Sequence, residues 1–488
     1  MEPQQDTPTP DIEEILEELD QPAITAPKAS IWAAIWDALR GTNADYTSIS
    51  LNRAIVLLAI PMILELVMES TFAVVDIYFV GQLGPSAIST VGLTETYLFL
   101  LYSVAMGLAT GVTAIIARRI GEKKTEDAST GAVQAIVLAF LVSIPFAIAG
   151  IFYAQELLIF MGGDAWTINE GYPYMQWMLG GNVVIVLLFV VNAVFRGAGD
   201  AAIAMRVLWI ANIFNIILDP ILIFGLGPIP GFGVEGAAMA STIGRAIGVL
   251  VQVWMLARAG KHIRVTLAHL KVKTAVMLDI LRTSLGGIGQ MLVSMTSWIF
   301  LMRILAEVGN EAVAGATITV RLLMFTLMPA WGFSNAAATL VGQNLGAGNP
   351  ARAESSVWKI GLYNMYYLIV VSVVYFLFDE QLVDIFTDDA EVIRIGGEWV
   401  RILSYCYFIY GWWMVSVQAF NGAGDTKTPT WINVIFFWLI QIPLAYVLAI
   451  YLDWGHSGVF WSVFISEASV GLFTLWMFKR GSWKRTQV

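Results

Sequence analysis

Five carboxylate or amide side chains stand where this sequence is otherwise apolar: Glu65, Glu69, Asp76, Asn215 and Asp219. Asn215 and Asp219 are four residues apart and share one helix face. At about 100° per residue, Glu65, Glu69 and Asp76 fall within about 40° of one another, so one stripe of one helix faces something polar. Acids inside a membrane span are costly and are functional candidates for that reason. Their chemistry is cation chemistry: hard oxygen donors hold Na⁺, and closely spaced carboxylates share a proton. The competing reading is that these acids pair with intramembrane arginines such as Arg206 or Arg245 and only hold helices together.

Other chemistries lack residues. The single cysteine, Cys406, excludes a disulfide framework and a multi-thiolate metal site. The histidines, His262, His269 and His456, fall in loops or at loop edges. No Ser/His, His/Asp or metal-ligand spacing appears on any apolar run, so neither an enzyme nor a resident cofactor is expected.

The elements that must position the acids follow from composition. Of 488 residues, 58% are apolar and only 13% charged, with a mean hydropathy of +0.71. So few charges cannot cover a water-soluble surface of this size. Apolar runs of spanning length fall at 53–80, 87–116, 129–153, 171–195, 201–226, 233–257, 277–305, 312–341, 355–377, 394–420, 428–452 and 457–478. The expected class is an all-α integral membrane protein of about twelve transmembrane helices.

Charge is sorted along the chain. The net charge is −10, and residues 1–27 hold eight acids and no Lys or Arg. DIEEILEELD within them could form a short amphipathic helix, but a solvated tail is the simpler reading. Every second break between spans lacks Lys and Arg, whereas the alternate breaks hold Arg118, Arg119, Lys123, Lys124, Arg196, Arg258, Lys261, Arg264, Lys271, Lys273, Arg352 and Lys427. This predicts a multi-pass protein of the inner (plasma) membrane with both termini cytoplasmic.

The chain also repeats itself. FRGAGD at 195–200 recurs as FNGAGD at 420–425, an offset of 225 that also carries Gly84 to Gly309 and Gly121 to Gly346. Near the ends, WMLAR (254–258) matches WMFKR (476–480) at an offset of 222. The predicted organisation is an acidic tail (1–50), a six-helix lobe (51–257), a cationic linker (258–276), a second six-helix lobe (277–480) and a short tail (481–488). One half then serves as a control for the other. Asp76 maps to Leu301, and Asn215 and Asp219 map near Ile440 and Leu444, so only the first half carries the acid site. Mid-span Pro61, Pro145, Pro220, Pro329 and Pro443 predict bends.

These features resemble the multidrug and toxic compound extrusion (MATE) transporters, within the superfamily that also holds lipid and polysaccharide flippases. The likeness rests on Pro61, Asp76, GQLG (81–84), FRGAGD, NIILDPILIFG (215–225), GAAMAST (236–242), QNLGAGNPARA (343–353) and FNGAGDTKTPT (420–430). It implies two six-helix lobes, alternating access, and export of amphipathic, often cationic compounds against inward Na⁺ or H⁺. On the pattern of the DinF-like branch, the coupling-ion site falls on Asp76, Asn215 and Asp219. A hydroxyl of Ser241 or Thr242 joins it, and Asn192 matches a polar position of the lumen; Glu65 and Glu69 are lumen candidates from their own stripe and lie outside that pattern. Glu467, opposite Arg245 in the repeat, matches no position of that pattern. The implied partners are small amphipathic molecules and the bilayer, with no nucleic acid, for a monomer. A lipid or polysaccharide-precursor flippase is the alternative.

Overall fold

The computed structural model describes residues 31–42, 44–258 and 262–486; the acidic stretch 1–27 lies outside them. The chain crosses twelve times, through α1 (Leu51–Gly81), α2 (Pro85–Gly121), α3 (Thr125–Phe160), α4 (Tyr172–Ala198), α5 (Ala201–Phe224), α6 (Val234–Arg258), α7 (Thr274–Val308), α8 (Asn310–Gly346), α9 (Pro350–Leu377), α10 in two pieces (Ala390–Ser404 and Tyr407–Ala423), α11 (Lys427–Tyr451) and α12 (Gly455–Lys479). Eleven of these are by themselves long and apolar enough to span a membrane; α10 is not, because it is interrupted. α4 has a shorter break, at Gly181 alone, and Gly181 and Cys406 are equivalent positions of the repeat.

The repeated GAGD is a helix terminator. Gly199 and Gly424 adopt φ of +90° and +89°, which a side chain would resist. In each turn the following aspartate amide returns to a carbonyl of the helix, Asp200 to Phe195 O at 2.8 Å and Asp425 to Phe420 O at 3.0 Å. The repeat breaks down in α11. Its partner α5 is α-helical throughout, whereas Val434–Gln441 and Val447–Tyr451 are π-wound on either side of a short turn containing Pro443.

The lobes meet chiefly through α1 on α8, α2 on α7 and α2 on α8. The seam is two-fold symmetric in detail. Gly107 lies against the backbone of Ile288, and their repeat equivalents Gly332 and Ile63 make the same contact, where a Cβ would stand 2.8 Å from the Ile63 amide nitrogen. Gly121 likewise abuts the Gln343 carbonyl, and Gly346 the Arg118 carbonyl. Small residues permit this approach of helix backbones. Thr339 and Gln343 of the second lobe donate to the carbonyls of Arg196 and Gly197 at 3.1 and 3.0 Å. These contacts lie at the end of the bundle that carries the basic loops. Towards the other end, the outermost inter-lobe hydrogen bond among the described residues joins Ser103 to Met295 at 3.6 Å.

The basic end is dressed by non-spanning segments. Residues 31–50, read from sequence as part of the tail, dock on both lobes: in the first, Arg206 donates to Leu39 O, Tyr46 donates to Gly199 O at 3.0 Å and Lys123 pairs with Asp45 at 2.6 Å; in the second, Arg352 donates to Tyr46 O at 3.2 Å. Gln134 grips the linker at Lys271 O and the Lys273 amide, at 3.0 and 2.9 Å. At the far terminus Trp483 stacks on Phe478 and Lys484 pairs with Glu354 at 2.6 Å.

A buried acid cluster in the first lobe

Helices α1, α5 and α6 pack together within the first lobe. The turn of α5 ahead of Pro220 puts Asn215 and Asp219 on its inward face, 2% and 0% exposed. Asn215 donates its amide to Ser241 Oγ of α6 at 3.1 Å. That bond orients the amide and leaves its oxygen free. Among the described residues, Asn215 Oδ1, both carboxylate oxygens of Asp219 and Asp76 Oδ1 are buried without a hydrogen-bond partner. Buried acceptors are rarely left so, because each costs about 1–3 kcal/mol.

Charge within the cluster does not cancel. Arg245 of α6 acts on both Asp76 and Asp219, and the two acids repel each other. The same guanidinium lies 3.9 Å from Glu69, 3.3 Å from the Tyr102 hydroxyl and 5.4 Å over the Phe72 ring. One cation thus serves three carboxylates. A small hard cation or a proton would supply the missing positive charge and occupy the idle oxygens, so the donor set suits either ion.

The acid stripe of α1 divides. Glu69 goes to Arg245 and to Asn212 at 3.3 Å. Glu65, only 4% exposed, pairs with Arg196 at 2.7 Å and accepts from Asn192 at 3.1 Å. Gln252 completes this second node by donating to Asn192 Oδ1 at 2.7 Å. Glu65 is thus bonded through Oε1, while its Oε2, also buried, has no hydrogen-bond partner among the described residues, and Asn192 is bonded on both sides. Thr242 lies beside the break in α4, where a Cβ on Gly181 would lie 2.9 Å from its methyl group. Of the two candidate arginines, Arg245 is an intramembrane partner and Arg206 is not, being spent on Leu39 O. Arg196 was hidden among the loop cations. Its signal was its spacing, four residues after Asn192 and so on the same face of α4.

Two pseudo-symmetric six-helix lobes, closed at one end by a two-fold seam and holding incompletely neutralised acids at membrane depth, define an integral-membrane transporter. The MatE family model matches this chain twice, over residues 61–221 and 285–447, once in each lobe. The chain belongs to the MatE family, the multidrug and toxic compound extrusion transporters.

Relatives match along nearly their whole length. The probable multidrug resistance protein NorM of Thermotoga maritima is 26% identical over 438 residues, covering 90% of this chain and 94% of that protein. The FAD transporter of Shewanella oneidensis is 24% identical over 446 residues, covering 89% and 95%. Among solved structures, the outward-facing conformation of a multidrug resistance MATE family transporter superposes with a TM-score of 0.83 at 25% identity, covering 92% of this chain and 98% of that one.

Proposed function

We propose that this protein is a secondary exporter of amphipathic, cationic organic compounds, driven by inward movement of Na⁺ or H⁺ through Asp76, Asn215 and Asp219. The observation that carries the reading is the set of unpartnered oxygens on those three side chains, beside a single shared guanidinium. On this reading the basic loops, the seam and both termini are cytoplasmic in a plasma-membrane protein, and the conformer closed at the seam is the outward-facing one. In that state the acids take up the coupling ion. Occupation removes repulsion between Asp76 and Asp219, favours a closer packing of α1 on α5, and so biases the lobe against the conformer that holds substrate. Coupling requires only that ion and substrate prefer different conformers. Relatives named for multidrug resistance or export support the substrate class.

The test is transport by Asp76→Asn and Asp219→Asn proteins at matched expression, in cells exposed to ethidium and in proteoliposomes with Na⁺ and pH gradients imposed separately. Both variants should fail to protect cells, and one gradient should drive wild-type export. Undiminished protection would remove the assignment. A deletion strain that exports dye normally but loses an envelope polymer would point to a flippase.

A further inference from the structure

The second lobe has one acid at mid-depth. Glu467 sits at the middle of α12, where a carboxylate is most costly. Three other acids of that lobe that are buried or half-buried have partners: Glu354 has Lys484, Asp379 has Arg401, and Glu398 has His456 and Ser457. Among the described residues Glu467 has no ion pair, and its Oε2 is buried without a hydrogen-bond partner.

The repeat shows what has changed at this position. At the offset of the sixth and twelfth helices, Glu467 is the equivalent of Arg245. The register is visible in packing: Gly244 abuts the Ala211 carbonyl in the first lobe, and the equivalent Ser466 donates to the equivalent Phe436 carbonyl at 2.9 Å in the second. The first lobe thus supplies its own cation to a group of acids. At the equivalent position the second has an acid where the first has that cation.

α12 lies on α10 here: a Cβ on Gly471, one turn on from Glu467, would stand 2.6 Å from the Ile409 side chain and 3.7 Å from Trp413 Cβ. Tyr410 and Cys406, on the α10 side of the interruption, are the titratable groups that sense Glu467. The Tyr410 ring is 4.8 Å from Trp413 and 6.0 Å from Tyr407. Two turns towards the other end of α12, Phe460 stacks on Trp399 at 4.9 Å. The indole N–H groups of Trp399 and Trp413 are themselves buried without acceptors. An inorganic cation needs several oxygen ligands, and no second acid of this lobe stands at this depth. A weakly hydrated cation needs one countercharge and aromatic faces.

We propose that Glu467, with Tyr410 and Trp413, forms a subsite in the second lobe for the charged centre of a lipophilic organic cation, apart from the ion-coupling cluster of the first lobe. This rests on the export reading for its substrate class, and it deepens that reading by placing ion and substrate in different lobes. They then act on each other through the lobes' conformations and not by competing for one acid.

The probe is tetraphenylphosphonium with full-length protein in nanodiscs. In the wild type, carbodiimide modification of Glu467, located by peptide mass spectrometry, should be suppressed by tetraphenylphosphonium and not by neutral triphenylphosphine oxide. Glu467→Gln should weaken tetraphenylphosphonium binding about tenfold or more, with Glu467→Asp restoring most of it. Failure of the probe to bind wild type, or to protect Glu467, would overturn the proposal, as would a Glu467→Gln protein of unchanged affinity. None of these readouts depends on whether Asp76 and Asp219 carry the coupling ion, so the two readings fail separately.

Discussion

Gly121 and Gly346 occupy the same position in the two repeats, and they touch: a Cβ on Gly346 would stand 3.0 Å from the Cα of Gly121. Equivalent residues of a two-fold repeat meet only on its axis, so the axis runs through this seam. The lobes must part here whenever the basic end opens. The Glu65–Arg196 pair lies on the first-lobe side of the same seam, because the Arg196 carbonyl is one of the groups that Thr339 grasps. The acid stripe of α1 is thereby connected at one end to the Asp76–Asp219 cluster and at the other to the closure.

Substituting Gly346 by Ala should loosen the closure. The new methyl meets the Arg118 carbonyl, which is backbone and cannot swing away. Overpacking of this kind costs about 1–3 kcal/mol, enough to shift the balance of conformers about tenfold. Labelling of a cysteine introduced at Thr339 should become faster in this variant, and equal rates would show that the seam does not close that end.

Glu65→Gln leaves the Arg196 guanidinium without its countercharge. Breaking a buried pair from one side costs about 3–5 kcal/mol, whereas removing both charges costs less. Thermal unfolding in detergent should therefore rank Glu65→Gln below the double variant Glu65→Gln with Arg196→Met. The reverse order would mean that the pair is not a structural unit.

Ser241→Ala should weaken ion coupling without abolishing it. The Asn215 amide loses the acceptor that aims its oxygen, worth about 1 kcal/mol or roughly fivefold in affinity. Half-saturating Na⁺ or H⁺ for transport should rise by about that factor. Thr242→Ala, altering a side chain that packs on the α4 break, should leave it unchanged, and a shift there instead would exchange the roles of the two hydroxyls.

Asp45, outside the spans, gives a pH signature. Burial pushes its carboxyl up, but Lys123 at 2.6 Å and Thr47 outweigh this and hold it at about 2, below the ordinary 3.8. A depressed native value means that the stabilisation is present above the unfolded value and is lost as pH falls through the native one. Asp45→Asn should therefore lower the unfolding temperature by the same amount from pH 7 to pH 5, and the gap should narrow only as pH drops from about 4 towards 2. With the pair 44% and 65% exposed, screening limits the effect to about 0.5 kcal/mol. A gap that closed between pH 7 and 5 would contradict it.

Periodicity, charge sorting and the doubled GAGD determine the class, the twelve crossings and the two lobes from sequence alone. These are legible because a bilayer imposes length, apolarity and loop charge on each span locally, without reference to its neighbours. The contrast between the halves also singled out Asp76, Asn215 and Asp219. Which acid meets which base was not legible. Arg196 read as a loop cation and Arg206 as a buried one, and their places are the reverse, because partners are chosen by helix rotation and by residues far apart in the chain. The broken α4 and α10, the π-wound α11 and the surroundings of Glu467 likewise arise only when helices pack. A span's composition sets whether it crosses the membrane; its neighbours set which of its faces is dry, and a buried charge takes its role from that face.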